Sequence, residues 1–204
     1  MHLLVSGATA TIRKYADHPQ IGVLMTPRAL GAYRVTDKRA ADNNCFVRLD
    51  KPAYVAMLRA LAKLDPLPWW VVAPDVVADA RGTLLRFSKW ASVLEYYGLP
   101  IAFVAQDGQE ALPVPWDRIR CLFIGGSTKW KMSEHVARLI DQAKCRDKWV
   151  HVGRVNSIQR ARYCAALGAD SIDGSQFSMF PDRWIPWILP HLEVQQHAMK
   201  EFLL

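Results

Sequence analysis

Eight short apolar runs, separated by longer amphipathic stretches, constrain this 204-residue chain more than any other feature. The runs are Leu3–Ser6, Ile21–Thr26, Ala41–Phe46, Trp70–Ala73, Ile101–Ala105, Cys121–Ile124, Trp149–Gly153 and Ser171–Asp173. Each is the length of a buried strand. The stretches Pro52–Leu64, Gly82–Tyr97, Ser133–Lys144 and Ser157–Leu167 carry apolar residues at helical spacing instead. A last helical region is expected from Asp182 onward, broken early by Pro186 and Pro190. Asn156-Ser157 supplies a helix start, and Gly98 and Gly168 supply helix stops. Strands that alternate with helices pair in parallel, because a parallel connection needs a crossover. Eight of them are expected to close into a minimal α/β barrel of the (β/α)8 TIM type, with residues 1–204 as a single catalytic barrel domain. Such barrels usually take about 250 residues, so the early connections here are expected to be thin.

With 51% hydrophobic and 22% charged residues, the chain has the balance of a folded globular protein. Its four cysteines, Cys45, Cys121, Cys145 and Cys164, form no C-x-x-C pair. That pattern excludes a zinc ribbon or dithiol redox motif and suits reduced thiols. Neither a bound metal nor a cofactor is expected. The first residues lack a basic lead and a long apolar stretch, and no run is long enough to span a bilayer. The expectation is a cytoplasmic protein with no membrane partner. A net charge of +7 favours a polyanionic partner, since basic side chains displace counterions condensed on phosphates.

The chemistry concentrates where the runs end. They close on Ala-Asp-Asn-Asn, Ala-Pro-Asp, Ala-Gln-Asp-Gly, Ile-Gly-Gly, Val-Gly-Arg and Ile-Asp-Gly. In a barrel of this type the C-terminal strand ends and their loops form the active face. An Asp at any one of these ends serves equally well as a turn or helix cap. Its recurrence after successive apolar runs points to convergence on a common mouth, chiefly of Asp42, Asp75 and Asp173.

In order and content these segments resemble the catalytic barrel of tRNA-guanine transglycosylases and their relatives that insert 7-deazaguanines into DNA. Ala41-Asp42-Asn43-Asn44-Cys45-Phe46 is similar to the family's Asp-Ser-Gly-Gly-Phe segment with its catalytic aspartate. Ala73-Pro74-Asp75 falls where the family reads the guanine edge, and Val104-Ala105-Gln106-Asp107-Gly108 looks like its Val-Gln-Gly-Gly segment. Phe123-Ile124-Gly125-Gly126 resembles the Gly-Gly turn that faces the base, and Val152-Gly153-Arg154 the pocket-lining apolar-Gly pair. Gly168-Ala169-Asp170-Ser171-Ile172-Asp173 is similar to the run that ends in the nucleophile. The resemblance covers roughly residues 20–180.

The resemblance implies exchange of guanine for a 7-deazaguanine at C1′, through a covalent glycosyl-aspartate. Asp173 would be the nucleophile and Asp42 the proton-transfer partner, a division that parallels retaining glycosidases. Asp75, Gln106, Gly125, Gly126, Val152 and Gly153 would bind the base. Lys129, Lys131, Arg154 and Arg183 would hold phosphates of the nucleic acid, with Trp130 and Phe177 as stacking surfaces. A solvated basic rim with packed aromatics is the plainer alternative for that group. His151 reads as a core or supporting histidine, and Trp184 and Trp187 as packing for the last helix. The chain departs from the family in two places. Asn43-Asn44 replace Ser-Gly-Gly, and no cysteine of the zinc motif follows Asp173. The zinc subdomain is the part that docks tRNA, so DNA is expected over tRNA, with a partner protein as a possible source of docking surface. A hydrolase acting through the same intermediate, or a silent nucleobase or nucleic-acid binder, are the alternative functions.

Overall fold

Strand parity determines where each side chain of this protein goes. The computed structural model describes residues 1–7, 9–31, 36–45 and 48–192. Its strands are β1 (His2–Ser6), β2 (Ile21–Met25), β3 (Arg39–Ala41), β4 (Val71–Val72), β5 (Ile101–Ala105), β6 (Cys121–Ile124), β7 (Trp149–Val152) and β8 (Ser171–Asp173). All pair in parallel with their sequence neighbours, and β8 returns to β1, so the barrel is closed. This is the (β/α)8 TIM-type barrel expected of the alternating pattern.

Successive side chains of a strand point to opposite faces. One buried cluster accordingly holds Leu4, Leu24, Ala40, Trp70, Val72, Ala102, Val104, Cys121 and Phe123, one set of alternate positions. Phe123 and His151 are ladder partners on β6 and β7, their rings 4.5 Å apart. Trp70, just before β4, reaches them across the barrel interior at 5.9 and 4.8 Å. The other positions, among them Val5, Val23, Phe103, Leu122, Ile124, Val150, Val152 and Ile172, join the larger cluster shared with the helices. His2, Trp69 and Trp149 stack on one another and close the N-terminal end.

The outer layer comprises α1 (Thr9–Tyr15), α2 (Lys51–Leu61), α3 (Ala80–Tyr96), α4 (Thr128–Lys131), α5 (Glu134–Lys144), α6 (Ile158–Ala166), α7 (Ser175–Met179) and α8 (Pro181–Ile188). On α2 the buried residues Tyr54, Met57, Leu58 and Leu61 make one stripe at helical spacing, and Asp50 caps its start by accepting from Ala53 N at 3.1 Å. Ser157 caps α6 in the same way, and Gly98 and Gly168 stand at positive φ after α3 and α6. β5 and β6 are joined without an α-helix. Two 3-10 turns, Gln109–Ala111 and Trp116–Arg118, span the gap around Pro113 and Pro115. Among the described residues no helix is long and apolar enough to cross a membrane.

The third strand differs from the expected Ala41–Phe46: it runs over Arg39–Ala41 and stops before Asp42. Asn43 causes the stop. Its Oδ1 accepts the Cys45 amide at 2.6 Å, a local turn that competes with the ladder, and Asn44 follows at φ 58°. Phe46 lies outside the described residues, as does everything beyond Leu192 in the expected last helix. That helix spans Pro181–Ile188 with Pro186 inside it, followed by a 3-10 turn over Leu189–His191. The helix α1 in the first connection has no counterpart in the sequence expectation.

Candidate active site

The C-terminal ends of the strands surround a cavity of about 350 Å³, within the usual range for small-molecule sites. Asp42, Asp75, Gln106, Gly125, Gly126, Gly153, Arg154 and Asp173 all line it, with Ser6, Asn43, Val104 and Phe123. Parity explains much of this set. Asp42 continues the inward series from Ala40, Gln106 from Ala102 and Val104, Gly125 from Cys121 and Phe123, and Asp173 from Ser171.

Two carboxyls face each other electrostatically here in different surroundings. Asp42 is pushed up to about 7 by burial first, then by the charges of Asp173 and Asp75, against hydrogen bonds from the Asn43 and Asn44 amides. Burial also raises Asp173 above the usual carboxylate range. Opposing that rise are the Arg154 backbone N–H, which donates to its Oδ1, and the positive charges of Lys131 and Arg154. Both carboxyls are thus raised by burial, but only Asp173 has a backbone donor and cations opposing the rise from outside its own loop.

The floor is a hydrogen-bonded chain. Asp75 is buried and raised by that burial. Its Oδ1 accepts from Asn43 Nδ2 at 2.8 Å and its Oδ2 from Gln106 Nε2 at 2.6 Å. Gln106 Oε1 accepts from Ala78 N at 2.9 Å and Gly126 N at 2.7 Å. Asn43 also donates to Ala73 O at 2.8 Å. Asn43 is therefore part of the cavity floor, a position that strand-end reading misses. Its signal was present in the Asn-Asn pair beside Asp42, taken only as a departure from a motif. Replacing it, Asn43→Ala, is expected to strip the Asn43 donor from Asp75 Oδ1 and from the Ala73 carbonyl, while Gln106 still serves Asp75 Oδ2. The expected cost is about 1–3 kcal/mol of stability, measured by denaturant melts.

Gly125 and Gly126 supply room. Their amides are already used, Gly125 N by Ala105 O at 2.9 Å and Gly126 N by Gln106. A Cβ on Gly125 would stand 2.7 Å from Val104, and one on Gly126, at φ 73°, 2.8 Å from the Trp130 ring. Asp107 secures the same turn by accepting from the amide and hydroxyl of Ser127 at 2.7 and 2.6 Å.

Five of the expected residues do not reach the cavity in the expected way. Val152 points to the helices, because the residue after inward His151 must face outward; Gly153 takes the inward place. Lys131 is buried, its Nζ donating to Gly153 O at 2.6 Å, so it is no surface phosphate anchor. Arg183 lies on α8 over the Trp184 ring, beside Trp187 and away from the cavity. Trp130 and Phe177 are core residues, Trp130 held by Glu110 at 2.8 Å, and neither offers a free face for stacking. Lys129 and Arg154 are exposed, and the Arg154 guanidinium reaches Gly126 O at 2.6 Å across the mouth. His151 is a core residue, 2.8 Å from Ser171 Oγ and held neutral at about 3 by burial and by the Lys131 charge. Among the described residues no group of three or more His, Cys, Asp or Glu side chains is placed to hold a metal.

No protein-family model matches the chain, and no curated protein sequence matches it significantly. Solved structures do. The 3-hexulose-6-phosphate synthase of Salmonella typhimurium superposes with a TM-score of 0.55 at 16% identity, over 94% of this chain and 98% of that one. A citrate lyase of Burkholderia xenovorans does so with a TM-score of 0.50 at 11% identity, over 98% of this chain and 78% of that one. At such identities the likeness shows the barrel fold alone.

Proposed function

We propose that this protein is a transglycosylase that exchanges guanine for a 7-deazaguanine base in nucleic acid, with DNA expected over tRNA. The observation that carries the reading is the pair Asp42 and Asp173, lining one cavity whose floor is the Asn43–Asp75–Gln106 chain. The Asp173 carboxylate attacks C1′ as the bond to guanine N9 breaks, and the bonding pair leaves with the base. Asp42, protonated near neutrality, supplies the proton that makes the departing guanine neutral. The incoming base then gives its N9 proton to the Asp42 carboxylate. Its nitrogen attacks C1′ and expels Asp173, so the nucleic acid is rejoined and Asp42 is recharged. Asp75, whose two oxygens already accept from Asn43 and Gln106, has lone pairs left to accept from guanine-edge N–H groups, and adenine forgoes those bonds. The target nucleotide must be flipped out of a duplex or offered in a single strand. Exposed Arg154, which lines the cavity, would hold its phosphates, with exposed Lys129 on α4 as a second cation.

The test is incubation with DNA or tRNA together with labelled guanine or 7-cyano-7-deazaguanine. Incorporation into DNA supports the reading in full, and incorporation into tRNA alone corrects the target. A value near 7 also suits Asp42 to activate water against the same glycosyl-Asp173 ester, the hydrolytic alternative. Free base released without incorporation would establish hydrolysis instead.

A further inference from the structure

Lys131 ends the four-residue helix α4 and is 6% exposed, yet no ion pair of the described residues includes it. Burying an ammonium costs several kcal/mol unless something offsets it. The offset lies across one peptide group. Lys131 Nζ donates to the carbonyl oxygen of Gly153 at 2.6 Å. The N–H of the same peptide unit, that of Arg154, donates to Oδ1 of Asp173. Ammonium, peptide and carboxylate thus form a single line of hydrogen bonds. Each bond in such a line polarises the next, and the effect is strongest away from water.

The peptide is held rigidly in this orientation. Gly153 has no Cβ, and one placed there would stand 2.7 Å from the Phe123 ring. Arg154 follows at φ 58°, a left-handed conformation that a non-glycine residue keeps only where its surroundings impose it. The Arg154 guanidinium pins the far side by donating to Gly126 O.

We propose that Lys131 is a positioning residue that acts through the Gly153–Arg154 peptide to orient Asp173 and keep it ionised as the attacking group. The role rests on the transglycosylase reading only for the reaction it serves; the electrostatic link to Asp173 stands on the geometry. The charged and titratable groups that face the pair are Arg154 on the β7 loop, Arg160 and Cys164 on α6, His151 on β7 and Asp42 after β3. Burial first, then the Arg154 charge, lowers Lys131 to about 8, so it carries its charge below that pH. Removing that charge raises the Asp173 midpoint. The variant is therefore impaired most at acidic pH and approaches the wild type once pH has passed its raised Asp173 midpoint.

The experiment compares Lys131→Gln, which keeps a donor for Gly153 O but no charge, with Lys131→Met, which keeps neither. The Asp173 carboxyl carbon is titrated by NMR in both variants and in the wild type, and base exchange is followed against pH. The Asp173 midpoint is expected to rise by about one unit in either variant, with kcat/KM at pH 6 lower by up to tenfold and KM for the base little changed. A folded Lys131→Gln protein with the wild-type midpoint overturns the proposal and leaves Lys131 a structural donor, whatever Lys131→Met does. The NMR titration needs no substrate, so a shifted midpoint in a protein that exchanges no base would refute the transglycosylase reading and not the link.

Discussion

Asp173→Asn is expected to abolish base exchange, lowering kcat by about 10⁴-fold or more, as removal of a covalent nucleophile does elsewhere. The amide is nearly isosteric, and its carbonyl oxygen can still accept the Arg154 amide that Asp173 accepts now. It cannot form the glycosyl ester. Loss of activity must be separated from loss of folding, and here the two should move in opposite directions. Burial raises the Asp173 carboxyl in the folded protein above its unfolded value. The folded state therefore binds this proton more tightly, and the stability so gained is present at low pH and lost as pH rises through the folded value. Once pH has passed the folded value, the wild type bears the cost of a buried carboxylate that the Asn variant lacks. The variant is expected to melt at the same temperature or higher while forming no covalent adduct. Incorporation at the wild-type rate would remove Asp173 from the nucleophile's place.

The barrel was legible in the chain because both of its periodicities are clean. Apolar runs that end at Ser6, Ala105, Ile124 and Asp173 match strands that end at those residues. Asp42, Gln106, Gly125 and Asp173 were legible for the same reason, since parity places them on the inner face. Val152 shows the limit of judging a site by nearness to a strand end. Alternation already assigned it outward, opposite His151, and only Gly153 could line the cavity. Lys131 could not be read in this way. A lysine after Trp130 in a short polar helix looks like surface, and its burial depends on the Gly153 carbonyl of another strand end. The third strand was displaced by a side-chain effect of the same kind: Asn43 satisfies the Cys45 amide locally and turns toward Asp75. Hydrophobic patterning reports what a face buries. It does not report which polar side chain will satisfy a distant backbone group.

Asp42→Asn carries the second large effect, and the chemistry of the two bases sets its form. A departing guanine leaves from the nitrogen of an imidazole ring, which tolerates negative charge and can also take a proton at N7. A 7-deazaguanine offers a pyrrole-like N9–H, a much weaker acid, so the second half of the exchange depends more heavily on a base. Overall exchange is expected to fall about 10²–10⁴-fold. The glycosyl-Asp173 ester should accumulate, visible as an added mass on the intact protein that survives denaturation. The pH profile supplies an independent check. Wild-type release of guanine is assisted by protonated Asp42, so it should decline above about pH 7, where Asp42 loses its proton; the variant, slower but unassisted throughout, should lack that limb. Stability follows the same sign as for Asp173. Asp42 is raised on folding, so its contribution fades as pH climbs from about 4 to 7, and Asp42→Asn should gain melting temperature relative to the wild type at pH 8 but not at pH 4. Unimpaired exchange with no adduct, in a variant that melts as predicted, would leave Asp42 a spectator. The proton would then have to move through Asp75 or solvent.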